Sequence, residues 1–141
     1  MSKNKVTILF IIGLIILFLG AVIARGYFMA EQEDAGPKIV ITPRGFDFGE
    51  LKNKKDIVRT AFEVKNGGGE TLEIKAVQTS CGCTKASISK KILAPGEAAS
   101  LEVTYDPSVH SDEKGKILRE VYVESNDPAG ETIIKIQALI P

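Results

Sequence analysis

Hydrophobic and polar residues alternate with a period of two along much of the chain after residue 38. Such a period places every second side chain on the buried face of a β-strand and the others in water. Two short runs, Lys38–Thr42 and Phe46–Phe48, add further strand signals. The longer runs have their hydrophobic positions at Val58, Thr60, Phe62 and Val64; Leu72, Ile74 and Ala76; Leu101, Val103 and Tyr105; Val121 and Val123; and Ile134, Ile136, Ala138 and Ile140.

Turn-forming residues separate these runs. The breaks are Asn66–Gly69, Pro95–Glu97, Asp106–Pro107 and Asn126–Gly130. Glycine, proline, asparagine and aspartate favour turns for steric and hydrogen-bonding reasons. A strand spacing of roughly 8–12 residues without helical periods is typical of an antiparallel β-sandwich. We therefore predict that residues 38–141, which suffice for one core, form a single all-β domain.

An apolar run occupies Val6–Ala24 near the N-terminus. A helix of about 20 residues crosses a bilayer core, so this run predicts a single membrane span. Lys3 and Lys5 precede it, which places the N-terminus in the cytoplasm by the positive-inside rule. We predict a cytoplasmic tip and transmembrane signal anchor over residues 1–25, followed by a polar tether over residues 26–37.

A cleaved signal peptide is the competing interpretation of the same run, because small residues at Val22–Ala24 suit a cleavage site. The apolar core of a signal peptide usually has only about 7–15 residues, and this run is longer. We favour the uncleaved anchor, in the cytoplasmic (inner) membrane with one pass. Both interpretations place the C-terminal domain in the periplasm or outside the cell, where disulfides are permitted.

The charge distribution gives no sign of nucleic-acid binding. The chain has 18 basic and 18 acidic residues, and three of the basic ones lie within residues 1–25. The remainder therefore has 15 basic and 18 acidic residues, a net charge of −3. The densest basic patch, Lys52, Lys54 and Lys55, is interrupted by Asn53 and followed by Asp56, which is typical of a solvated turn.

The two cysteines of the chain, Cys81 and Cys83, flank Gly82. Residues i and i+2 of a strand lie about 6.6 Å apart, near the upper limit of about 6.8 Å between the Cα atoms of a disulfide. A bond between them needs a tighter backbone, and we expect Gly82 to supply it with a positive φ. Three interpretations stay open: a pair that only packs or oxidises, a reducible thiol–disulfide pair, and two thiolates that hold Cu(I) or Zn.

The one histidine, His110, lies in a polar stretch that predicts a solvated loop. A Cys–His nucleophilic pair requires the fold to bring His110 beside Cys81 or Cys83, and nothing in the spacing predicts this. Structural zinc normally takes four ligands, and no third or fourth ligand is evident. We assign no catalytic residue, cofactor or metal site, and keep Cys81 and Cys83 as candidates for a redox pair or a metal.

Several short motifs together resemble one bacterial family. They are Phe46-Asp47-Phe48-Gly49, Lys65-Asn66-Gly67-Gly68, Ser80-Cys81-Gly82-Cys83-Thr84, Pro95-Gly96-Glu97, Tyr105-Asp106-Pro107 and Ser125-Asn126-Asp127-Pro128. This pattern resembles the bacterial domain of unknown function 1573 family over nearly all of residues 38–140. The resemblance implies an Ig-like sandwich, similar to major-sperm-protein and pilus-chaperone domains, that is often exported and has no established activity or catalytic residues.

These observations favour a membrane-anchored, extracytoplasmic Ig-like module that is not an enzyme. Sandwiches of this kind usually act through loops or by offering an edge strand. We expect a protein partner or a role in envelope structure, and no nucleic-acid partner. The alternative is thiol–disulfide or soft-metal chemistry, with copper as the metal, at Cys81 and Cys83.

Overall fold

The computed structural model describes residues 11–23, 36–53, 55–110 and 112–141. Contacts divide the chain into two units, Met1–Asp34 and Ala35–Pro141. In the first unit, residues 11–23 are helical and their side chains are exposed. Among the residues that are described, no helix is long and apolar enough to cross a membrane. Residues 6–10 and 24 of the predicted span, and most of the predicted tether, lie outside the described residues.

The described part of the second unit consists of nine strands and one short 3-10 helix, Pro107–His110. The all-β prediction is therefore confirmed. The strands are β1 (Ile39–Thr42), β2 (Gly45–Glu50), β3 (Val58–Asn66), β4 (Leu72–Thr79), β5 (Thr84–Ile88), β6 (Ile92–Leu93), β7 (Ala98–Tyr105), β8 (Gly115–Ser125) and β9 (Thr132–Ile140). They form a first sheet in the order β1-β3-β7-β5 and a second sheet in the order β2-β9-β8-β4-β6.

One strand pair departs from the antiparallel prediction. β2 runs parallel to β9 at the edge of the second sheet, whereas the other strand pairs of the described residues are antiparallel. Only Pro43 and Arg44 separate β1 from β2, so the chain passes from the first sheet to the second without a hairpin reversal. The alternation of hydrophobic residues reports which face of a strand is buried and carries no information on strand direction.

The alternating hydrophobic residues form the core between the two sheets, as predicted. The described residues that are at most 3% exposed include large side chains from six strands. They are Phe62 and Val64 of β3, Leu72 and Ile74 of β4, Leu93 of β6, Leu101, Val103 and Tyr105 of β7, Ile117, Val121 and Val123 of β8, and Ile134, Ile136 and Ile140 of β9. Burial of each such side chain contributes about 1.5–3 kcal/mol to the free energy of folding.

A buried asparagine fixes one end of the sandwich. Asn66, at the end of β3, is fully buried. Its side-chain nitrogen donates to the carbonyl oxygens of Glu70 (2.7 Å) and Leu93 (3.0 Å), and its side-chain oxygen accepts from the Gly68 amide (3.0 Å). Asn66 thereby satisfies three backbone groups of the turn and of β6 that have little access to water.

Candidate functional site

The two cysteines lie in a turn that connects the sheets. This turn carries the chain from β4 in the second sheet to β5 at the edge of the first sheet. The Thr84 amide donates to the Cys81 carbonyl (3.2 Å) and closes the turn, while the Thr79 hydroxyl lies 3.1 and 2.9 Å from the carbonyl oxygens of Cys81 and Thr84. The Asp106 amide donates to the Cys83 carbonyl (2.8 Å), which ties the turn to the end of β7. The backbone around both sulfurs is therefore held in place by neighbouring strands.

Cys81 and Cys83 form a disulfide with their Cα atoms 5.3 Å apart. This separation is shorter than that of a flat strand, because the turn tightens the backbone, and it lies within the ordinary disulfide range. Cys83 is 2% exposed, whereas Cys81 is only partly buried. Closing a loop of three residues stabilises a fold by only about 1.6 kcal/mol in the chain-entropy model, so this bond is a weak staple.

The expected positive φ at Gly82 is wrong. The described glycines with positive φ are Gly49, Gly96, Gly115 and Gly130. A Cβ atom built at Gly82 meets no atom within 4 Å. The hydrogen bond that closes the turn allows the chain to bring the two sulfurs together with an ordinary backbone conformation at the central residue.

We therefore expect Gly82→Ala to change the free energy of unfolding by less than about 1 kcal/mol. Alanine restricts the unfolded chain more than glycine does, and this effect raises the stability of the variant. Gly68→Ala is the matched control, since a Cβ there would overlap the Gly36 carbonyl oxygen and lie 2.7 Å from the Lys38 nitrogen. That variant should lose about 1–3 kcal/mol by overpacking. Urea unfolding of both variants measures the difference, and equal losses would contradict the turn geometry.

A guanidinium group contacts the buried sulfur. Arg119 of β8 donates from Nε to the Cys83 sulfur (3.2 Å) and from Nη1 to the Leu118 carbonyl (2.9 Å). Its Nη2 pairs with the Glu113 carboxylate, and its Cζ lies 5.9 Å from the centre of the Tyr105 ring. The Arg119 side chain is only 15% exposed. A permanent positive charge is therefore fixed beside Cys83, where it favours a negatively charged sulfur.

The half-buried sulfur opens onto a surface depression. Its volume is about 560 Å³, and it is lined by Cys81, Val109, His110, Asp112, Glu113 and Arg119. Cys81 is therefore the member of the pair that meets the depression. Cys83 is 2% exposed and is not among the residues that line the depression.

The sequence predicted a solvated histidine at His110 but gave no sign that it lies beside the cysteines. His110 is exposed, but it ends the 3-10 helix, and one of its ring nitrogens lies within 4.8 Å of both cysteine sulfurs. Asp106 begins this turn by accepting hydrogen bonds from the Ser108 hydroxyl (2.6 Å) and amide (2.9 Å). These bonds lower the pKa of Asp106, the hydroxyl bond most. A turn stabilised by Asp106 thus holds His110 next to the disulfide.

Tyr105 lies beneath Arg119, and its hydroxyl is buried without a hydrogen-bond partner among the described residues. Burial raises the pKa of Tyr105, and the Glu113 carboxylate raises it further, while Arg119 lowers it. The fold therefore favours the neutral phenol. The contribution of this preference to the free energy of unfolding is fully present below the ordinary tyrosine pKa of about 10. It is lost as the pH rises through the raised pKa of Tyr105 in the folded protein.

We expect Tyr105→Phe to raise the free energy of unfolding by roughly 1 kcal/mol at pH 7, because it removes an unsatisfied buried hydroxyl. The advantage of the variant should grow above pH 10, where wild-type Tyr105 ionises on unfolding. Tyr122→Phe is the control at pH 7, since the Tyr122 hydroxyl donates to Glu120 (2.7 Å) and its removal loses that hydrogen bond. Urea unfolding at pH 7 and pH 10.5 measures both, and a loss of stability in Tyr105→Phe at pH 7 would contradict this account.

The sequence identified the two cysteines, but their neighbours Arg119, Glu113 and His110 were not predicted as part of the site. One signal for Arg119 is present in the alternation itself. Ile117 and Val121 are buried, so Arg119 occupies an inward position of β8. A charged residue in the buried phase of a strand needs a partner, and here it has the sulfur and a carboxylate.

Comparison with known proteins places the domain in a family. The model of the family described as "Protein of unknown function (DUF1573)" matches residues 39–140. The chain belongs to this family. The resemblance inferred from the motifs is thus confirmed. No curated protein matches the chain.

Solved structures show a similar fold. A protein of unknown function from Porphyromonas gingivalis W83 has 25% sequence identity and a TM-score of 0.67, over 75% of this chain and 48% of its own. The chain therefore spans about half the length of that protein. The YadV chaperone (15% identity, TM-score 0.56, 72% of this chain and 51% of its own) and the PapD-like domain 7 of human CEP192 (12%, 0.52, 73% and 83%) are also similar. At such identities these two show the fold alone, an Ig-like sandwich.

Proposed function

We propose that this DUF1573 domain exchanges its Cys81–Cys83 disulfide with cysteine thiols of other extracytoplasmic proteins. The observation that carries the proposal is the asymmetry of the pair. Cys81 meets a surface depression, while Cys83 is buried and accepts a hydrogen bond from Arg119. One sulfur is placed to be attacked and the other to leave as a thiolate.

The exchange has two steps. A partner thiolate attacks the Cys81 sulfur, a new sulfur–sulfur bond forms to Cys81, and the old bond breaks with its electron pair on Cys83. Arg119 stabilises the Cys83 thiolate that results. A second partner thiolate then attacks the partner sulfur of the mixed disulfide and releases the Cys81 thiolate and an oxidised partner. In reverse, the reduced pair reduces a partner disulfide.

The small loop also supports this role. Because the bond closes a loop of three residues, it contributes little to stability, and its reduction should leave the sandwich folded. A disulfide that adds little to the stability of the fold is itself little stabilised by folding, so its reduction potential should lie above those of structural disulfides, which lie below about −300 mV. The site acts with thiol partners in equal amounts and needs no bound substrate, so we regard the module as a redox partner and not as an enzyme.

Equilibration with glutathione tests the proposal. The full chain, in detergent, is placed in buffers with different ratios of reduced to oxidised glutathione, its thiols are trapped by alkylation, and the intact mass is measured. We expect the reduced fraction to change from low to high within these buffers while circular dichroism stays that of a β-sandwich. A disulfide that stays fully oxidised at every ratio, or a fold that is lost on reduction, would contradict the proposal.

We also propose that the domain is tethered to the cytoplasmic membrane by the apolar run Val6–Ala24. The described part of this run is helical, and its large side chains are exposed, for example Leu17 at 73% and Phe18 at 72%. Lipid would cover them. N-terminal sequencing of the mature protein tests the tether. A start at Arg25 would indicate a cleaved signal peptide and contradict it.

A module that only binds a protein partner is the competing function. Replacing both cysteines by serine separates the two, because a pure interaction module should keep both its fold and its partner. Under our proposal, the variant keeps its fold and loses every covalent complex with partner proteins. Absence of any disulfide-linked complex on non-reducing gels of the wild type, with unchanged capture of the same partners by the double-serine variant, would favour the competing function.

A further inference from the structure

We infer that the reduced Cys81–Gly82–Cys83 turn, together with His110, is a three-ligand binding site for Cu(I). The inference rests on the proposed function in one respect, since the disulfide must be reduced before its sulfurs are able to bind a metal. The two sulfurs and a ring nitrogen of His110 all lie within 4.8 Å of one another. Ligand atoms about 2.0–2.3 Å from one ion are at most about 4.6 Å apart, so the three atoms need only a small rearrangement to share an ion.

The choice of ion follows from the ligands. Two thiolates and an imidazole suit soft ions, of which Cu(I) and Zn(II) are the usual ones. Zinc in structural sites takes four ligands. Within the described residues, the group of side chains close enough to share an ion consists of Cys81, Cys83 and His110, and the Glu113 carboxylate of the same depression is paired with Arg119. A closed structural zinc site therefore lacks a fourth protein ligand here, and zinc would need a water in that position, so we commit the inference to Cu(I), the softer of the two ions.

The guanidinium of Arg119 also acts on the site. It donates to the Cys83 sulfur and is paired with the Glu113 carboxylate, so it favours a thiolate at Cys83 over a thiol. Metals bind the thiolate form of cysteine. Groups that hydrogen-bond to metal ligands adjust the affinity of such sites.

The reaction balances as follows. A dithiol protein donates two electrons and two protons to the Cys81–Cys83 bond and is itself oxidised to a disulfide. Cu(I) then replaces the two thiol protons, which pass to water. Because the depression leaves the Cys81 side open, the bound ion is accessible to another thiolate or imidazole site. A disulfide of another protein then reoxidises the pair: it accepts two electrons and, from water, two protons to become a dithiol, and the Cys81–Cys83 bond re-forms. The loss of two of the three ligands releases the ion.

Competition for Cu(I) tests the inference. The full chain in detergent is reduced completely with a phosphine, and Cu(I) is titrated without oxygen in competition with a chromophoric Cu(I) chelator. We expect one Cu(I) per reduced chain, none per oxidised chain, and an affinity at least about tenfold lower for His110→Ala. The control is Glu124→Gln, which alters an exposed residue outside the depression and should leave the affinity unchanged.

The outcomes distinguish the two proposals. Phosphine reduces the disulfide whatever its equilibrium with glutathione, so the copper titration is read independently of the exchange experiment. Normal exchange with glutathione but no Cu(I) bound to the reduced chain overturns the copper site and leaves the exchange proposal standing. Two other results also overturn the copper site. One is an equal affinity for Cu(I) in the wild type and in His110→Ala. The other is a larger gain in affinity for Zn(II) than for Cu(I) when the chain is compared with a simple dithiol peptide.

Discussion

Arg119→Ala is expected to slow the reaction of the Cys81–Cys83 disulfide with glutathione by about 10- to 100-fold. The guanidinium donates to the Cys83 sulfur, which leaves as a thiolate when Cys81 is attacked. A hydrogen bond to a charged group contributes roughly 1.5–3 kcal/mol, and each 1.4 kcal/mol corresponds to a factor of ten. The reaction is stopped by alkylation at set times, and the intact mass of the chain at each time gives the rate.

Two further variants make this result specific. Arg119→Lys keeps a positive charge without the fixed Nε–H donor, and its rate should lie between those of the wild type and of Arg119→Ala. Arg59→Ala is the matched control, because Arg59 is 71% exposed and pairs with Glu102 at 3.8 Å on the first sheet. Its rate should equal that of the wild type. Equal rates for Arg119→Ala and Arg59→Ala, with both variants folded, would show that Arg119 plays no part in the exchange.

Asn66→Ala should lower the free energy of unfolding by about 3–5 kcal/mol. Its side chain is fully buried and satisfies the carbonyls of Glu70 and Leu93 and the Gly68 amide. Each buried backbone group left without a partner costs about 1–3 kcal/mol, and partial access to water reduces the cost for those of the turn. Urea unfolding followed by circular dichroism measures the loss.

The control for this prediction is Asn53→Ala. Asn53 is exposed, and its side chain bonds the Lys55 amide (3.0 Å) and the Asp56 carboxylate (3.1 Å) within its own loop. Its replacement should cost less than about 1 kcal/mol, since water replaces both bonds. Similar losses for the two variants would mean that the buried network does not hold the end of the sandwich together.

The sequence predicts the sandwich well wherever alternation is strong. The long strands β3, β7 and β9 follow directly from residues such as Phe62, Leu101 and Ile136, since period two reports burial on one face. β5 and β6 were not identified. Thr84–Ile88 is an edge strand with only partly buried hydrophobic residues, and Ile92–Leu93 has two residues, too few for any period. The parallel direction of β2 was also not predicted. It depends on the pairing of β2 with β9, and the local pattern of residues does not specify which strand β2 pairs with.

The candidate site shows where sequence reasoning ends. Cys81 and Cys83 are separated by one residue, so a bond between them was open to prediction. His110 and Arg119 come from a different turn and a different strand, 27 and 36 residues beyond Cys83. They lie beside the sulfurs because of the fold. β7, in the first sheet, leads into the 3-10 helix that ends at His110, and β8, in the second sheet, carries Arg119. Spacing in the sequence carries no record of such contacts.

The reactivity of the two single-cysteine variants tests the central claim most directly. Full-length Cys83→Ser and Cys81→Ser are incubated with oxidised glutathione, and their intact masses are measured over time. Our account predicts that Cys83→Ser, which keeps the accessible sulfur, gains one glutathione per chain. It also predicts that Cys81→Ser, whose remaining sulfur is 2% exposed, stays unmodified on the same timescale while folded. Equal modification of the two variants, or modification of Cys81→Ser alone, would contradict the assignment of Cys81 as the attacked sulfur.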